Sequence, residues 1–99
     1  MASYSLILPE DFHEYEWEVT SKGWFGEARL NLSGKQYRLI FCDPARLGQT
    51  IEDELQSGCA FFEPNLIIVR SVTQSAMERA VEFLVQSGQT NLLISEQQA

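Results

Sequence analysis

The hydrophobic period of this chain changes at Asp43-Pro44, and that change limits its fold more than any other feature. Before it, apolar residues recur at every second position, the repeat of a half-buried strand. After it they recur at three and four, the repeat of a helix face. Two periods written into 99 residues describe one α+β domain, because a second domain would have too little chain for its own core.

The first period runs through three segments. Tyr15, Trp17 and Val19 alternate with Glu14, Glu16, Glu18 and Thr20; Ala28, Leu30 and Leu32 alternate with Glu27, Arg29, Asn31 and Ser33; Tyr37, Leu39 and Phe41 alternate with Arg38, Ile40 and Cys42. A two-residue loop at Gly34-Lys35 sets Leu32 opposite Tyr37 and Leu30 opposite Leu39. A four-residue loop from Lys22 to Phe25 sets Trp17 opposite Leu30 and puts Arg29 opposite Glu18. Both registers gather the apolar residues on one face, which predicts a three-stranded antiparallel meander. Tyr4 to Leu8 reads as a further strand, stopped by Pro9.

In the second period Asp43 caps a helix with Pro44 in its first turn. Leu47, Ile51 and Leu55 make its stripe and Gly58 ends it, so a helix is expected over residues 44–57. Thr73 caps another over residues 74–87, with Val72 and Met77 placed as a hydrophobic staple. Cys59 to Phe62 and Leu66 to Arg70 read as two short strands or as a loop and a strand, and Asn91 to Ile94 as a final strand. From Tyr37 onward the order can be β-α-β-β-α-β, the ferredoxin-like arrangement, with both helices on one face of a mainly antiparallel sheet. The expected core is Trp17, Val19, Leu30, Leu32, Leu39, Phe41, Leu47, Ile51, Leu55, Ile68, Val81 and Leu84. The polar tail over residues 96–99 is expected to fray.

Charge narrows the function classes. Fourteen acids against seven bases give a net charge of −7, which argues against nucleic-acid and anionic-membrane partners. No apolar run exceeds four residues, too short for a membrane span, and the first residues lack the basic and apolar regions of a secretory signal. Cys42 and Cys59 flank a helix and lack metal-ligand spacing, so two free thiols in a reducing cytoplasm are expected. No cofactor, metal or catalytic set is expected. His13 has no nucleophile motif beside it, and the nucleotide-binding glycine patterns are missing from the sequence.

Three features stand out. Glu14, Glu16 and Glu18 share a strand face in this reading, either a solvated face or a contact surface for a basic protein. Trp24 and Phe25 fall in a hairpin tip, where they either fold back over the core or anchor a partner. Ile40 points away from the core face, and one of the alternating pairs Leu66/Ile68 or Ile67/Val69 joins it in an apolar strip that a two-fold homodimer would bury, with Ile40, Ile67 and Val69 as the candidates. The expectation is a small acidic, non-catalytic interaction protein of the cytoplasm, self-associating or binding a basic partner. The alternative is a small enzyme or ligand-binding domain, with a carboxylate-containing pocket near the Glu63-Pro64-Asn65 turn.

Overall fold

A computed structural model describes residues 3–96. Its fold is α+β: a four-stranded sheet in the order β1-β2-β3-β4 with three helices. In chain order the elements are β1 (Tyr4–Ile7), α1 (Phe12–Lys22), β2 (Trp24–Leu32), β3 (Lys35–Cys42), α2 (Pro44–Ser57), β4 (Leu66–Ile68) and α3 (Gln74–Gln86). A 3₁₀ turn follows over Gln89–Leu92. The sheet is mixed, because β1-β2 and β2-β3 pair antiparallel while β4 runs parallel to β3. Helix α2 is the crossover that a parallel pair requires.

The helix caps form as the sequence predicts. The Asp43 carboxylate accepts from the Arg46 amide at 2.8 Å, and the Thr73 hydroxyl accepts from the Ala76 amide at 3.1 Å. Val72 and Met77, the staple pair, are both fully buried.

The β2-β3 hairpin turns one step earlier than expected. Ser33 and Gly34 both have positive φ, 51° and 84°, the requirement of the tight turn that matches strand twist. Lysine at the second turn position would bear the left-handed backbone that Gly34 adopts freely. Leu30 therefore pairs with Tyr37 and Ala28 with Leu39, a slip of two residues from the expected register. A slip of two leaves every side chain on its face, so Ala28, Leu30, Leu39 and Phe41 are all fully buried.

The expected meander is not formed, because the segment meant to be its first strand is helix α1. Phe12, Tyr15 and Val19 recur at helical spacing and face the core, and Gly23 ends the helix at φ 74°, its amide donating to the Val19 carbonyl at 2.8 Å. Tyr15 itself is kinked out of helical geometry, at φ −129°. Strand β1 takes the place beside β2 that the acidic segment was expected to fill, with Leu6 opposite Leu30. Trp17 is consequently not a core residue; it is 70% exposed.

The core lies between one face of the sheet and helices α1 and α3, through Phe12, Val19, Met77 and Val81. Helix α2 buries none of its residues, so Leu47, Ile51 and Leu55 are not core, and Ile68 is also exposed. Leu32 packs against the core cluster and Leu84 is half-buried. The two helices on the covered face are thus α1 and α3 rather than α2 and α3. The ferredoxin-like order is not realised among the described residues, since Cys59 to Phe62 forms no strand and Asn91 to Ile94 does not add one. The fraying expected of the tail falls on residues 97–99, outside the described residues, while Glu96 forms an ion pair with Arg29.

Candidate interaction surface

Helix α1 sorts the acidic run in a way that a strand would not. Period 2 puts Glu14, Glu16 and Glu18 together, whereas a helical repeat separates Glu16 from the other two. Glu16 turns toward α3, where its Oε2 accepts from the Gln74 amide at 2.7 Å. One turn later the Thr20 hydroxyl donates to the Val72 carbonyl at 2.7 Å. This i, i+4 pair holds α1 against the start of α3, with a carboxylate at the positive end of that helix. Glu16 is therefore part of the fold and not of a free acidic face.

Glu14 and Glu18 remain exposed, together with His13, Ser21 and the indole of Trp17. Tyr15 anchors the opposite side of the helix: its ring meets Phe12 edge-on at 5.6 Å, and Phe12 meets Phe25 edge-on at 5.0 Å. Burial raises the Tyr15 phenol above its ordinary pKa, and the carboxylates of Asp11 and Glu27 add to the shift. The exposed face is thus an aromatic ring with acids on both sides of it in the chain, carried on a helix whose inner side is fixed.

Trp24 and Phe25 do not form a hairpin tip. They open β2, opposite Cys42 and Phe41, just before a bulge at Gly26 and Glu27. Phe25 is a core residue and Trp24 is half-buried on the other face, so neither is a free anchor. The strand pairing also separates the residues named for self-association. Ile40 pairs with Leu66, and Cys42 with Ile68, on the face away from the core. Ile67 and Val69 lie on the core face, packed against the central cluster. Ile40 is only 7% exposed within the single chain. Of the two alternating pairs it is therefore Leu66 and Ile68, not Ile67 and Val69, that share the face of Ile40.

Cys42 is buried and Cys59 exposed, both as free thiols. Burial, and secondarily the Asp43 carboxylate, holds the Cys42 thiol above its ordinary pKa. Among the described residues no three His, Cys, Asp or Glu side chains converge as metal ligands, and no helix is long and apolar enough to cross a membrane.

The Glu63-Pro64-Asn65 turn does border an open cleft of about 400 Å³. Asn65 builds its wall from a left-handed backbone at φ 59°. Its amide nitrogen donates to the Arg38 carbonyl at 2.9 Å and the Ile94 carbonyl at 2.8 Å, and its amide oxygen accepts from the Ile94 amide at 2.8 Å. One side chain thereby ties the C-terminal segment to β3, in place of the final strand expected there. The sequence signals for this were the asparagine after Pro64 and the apolar Ile94, and nothing in their spacing connects them.

Comparison with protein-family models, with curated proteins and with solved structures finds no match.

Proposed function

We propose that the chain is an acidic interaction protein that docks a basic protein through the outer face of α1, centred on Trp17. The observation that carries this reading is the 70% exposure of Trp17 on a helix otherwise pinned to the core. Leaving a large aromatic in water forgoes its burial, about 1.5–3 kcal/mol for a side chain of this class. A partner that covers the ring recovers that free energy. Glu14 and Glu18 define the chemistry of such a partner, because a lysine or arginine set over the indole meets a carboxylate as well as the ring face. The net charge of −7 extends the same complementarity over the whole molecule and favours fast encounter with a cation-rich surface. Phe62, Phe83 and Leu92 are exposed too, but Phe62 lies in the loop before β4, Phe83 on α3 and Leu92 in the 3₁₀ turn.

The test is affinity capture from the native host's extract, at low and then raised salt, with wild type beside Trp17→Ala and Glu14→Gln/Glu18→Gln. A partner of this surface is retained by wild type and lost on Trp17→Ala by at least about 30-fold in affinity, the scale of a hot-spot aromatic. The double glutamine variant slows its association and flattens the salt dependence. A set of captured proteins unchanged by Trp17→Ala refutes the assignment. Glu16 is left intact throughout, since its loss would loosen α3 and confound the readout.

A further inference from the structure

Arg29 and Arg38 stand directly opposite each other on β2 and β3, on the sheet face away from the core. Like charges at an opposed position of an antiparallel pair are destabilising, with Cβ atoms about 4.5–5.5 Å apart. The chain has only seven bases among its 99 residues, and two of them meet here. The arrangement is also held in place. Arg38 donates from Nε to the Gly26 carbonyl at 3.0 Å, at the bulge, and its terminal nitrogens have no hydrogen-bond partner among the described residues. Arg29 pairs with the carboxylate of Glu96.

Both arginines line the cleft of about 400 Å³ beside the Glu63-Pro64-Asn65 turn, which lies within the size range of small-molecule sites. Ile40, Pro64 and Ile94 supply apolar surface there, and Asn65 fixes the wall through its three side-chain hydrogen bonds. We infer that this cleft binds an organic carboxylate, its head on the Arg38–Arg29 pair and a short apolar body on Ile40, Pro64 and Ile94, and that Glu96 is a built-in competitor for the same cations. Planar guanidinium groups suit a planar carboxylate, which they bind with two parallel hydrogen bonds. Glu63 and Glu96 line the cleft as well, and they disfavour a dianionic phosphate more than a monoanion. Glu96 itself shows that a carboxylate reaches Arg29.

The carboxylate can belong to a small free acid or to the end of a peptide, and two probes separate these sources: 4-methylpentanoate and N-acetyl-alanyl-leucine. Each is titrated into the full chain while backbone amide shifts are followed by NMR, with 4-methylpentanamide as the uncharged control. Saturable shifts are expected at Arg38, Ile40 and Ile94 with the acids and not with the amide. Removing the competitor in Glu96→Gln should tighten binding, about tenfold if Glu96 occupies Arg29 nine-tenths of the time. Arg38→Ala should abolish the shifts. Arg38→Lys, which keeps the charge and loses the fork, should weaken binding markedly and guards against a folding artefact. Tighter binding of the peptide acid assigns the source as polypeptide termini, and tighter binding of the small acid assigns it as a free acid. Any one of four results overturns the inference: no saturable shift with either acid in Glu96→Gln, equal binding of the amide, equal binding of inorganic phosphate, or binding unaffected by Arg38→Lys.

Discussion

Gly23 joins the end of α1 to the start of β2, and adding one methyl group there has two separable costs. The first is in the backbone, which sits at φ 74°. An L side chain in that left-handed region costs roughly 1–2 kcal/mol. The second is steric: a Cβ at Gly23 would lie 2.5 Å from Oδ2 of Asp43 and 2.8 Å from its Cγ. That carboxylate is the cap of α2. Moving it gives up about 0.5–2 kcal/mol more. Gly23→Ala should therefore destabilise by about 1.5–4 kcal/mol, a large part of the stability of a small domain. Gly34 provides the internal control. Its φ is also positive, at 84°, but an added Cβ there would meet nothing within 4 Å. Gly34→Ala should lose only the backbone contribution, about 1–2 kcal/mol. Urea unfolding followed by far-ultraviolet circular dichroism measures both. A cycle with Asp43→Ala then isolates the clash, because shortening Asp43 removes the atoms that a Gly23 methyl would strike. The double variant should lose about 1 kcal/mol less than the two singles added together. Equal losses at Gly23 and Gly34, or strict additivity in the cycle, would refute the steric argument.

Leu30 is fully buried, and Leu30→Ala should destabilise by about 2–5 kcal/mol as a core truncation. Trp17→Ala, a change at an exposed position, should shift urea stability by no more than about 0.5 kcal/mol. Asn65→Ala removes three hydrogen bonds and leaves a non-glycine residue at positive φ. A loss of about 1.5–3 kcal/mol is expected, with faster hydrogen exchange at the Ile94 amide. At pH 8 one equivalent of an aromatic disulfide reagent should react promptly, at exposed Cys59. Cys42, buried and with its thiol pKa raised, should react only at the rate of unfolding, and two prompt equivalents would contradict its placement.

The features legible in the chain alone are those whose signal spans one or two turns. Asp43-Pro44 and Thr73 cap helices because a carboxylate or hydroxyl reaches an amide three residues on, whatever surrounds it. The facing sides of β2 and β3 are equally legible, since alternation survives a register slip of two, even though the turn falls one residue earlier than the alternation suggests. The acidic surface is legible only in part. Glu14 and Glu18 are exposed as a contact face requires, but Glu16 belongs to the fold. Trp17, at the centre of that surface, reads from its alternation as a core residue.

Residues 12–22 satisfy two periods together, and only tertiary contacts choose between them. Tyr15, Trp17 and Val19 fit a strand, and Phe12, Tyr15 and Val19 fit a helix ending at Gly23. The helix is the one that lets Phe12 meet Phe25 and sets Glu16 and Thr20, one turn apart, against the start of α3. Those partners are remote in the chain, so no local window contains them. The same holds for the cleft. Its turn is visible in Glu63-Pro64-Asn65, but the arginine pair exists only because the register of β2 on β3 sets Arg29 opposite Arg38, and its wall only because Asn65 reaches Ile94. Where two local patterns lie close in free energy, the contacts made on assembly outweigh the small difference between them.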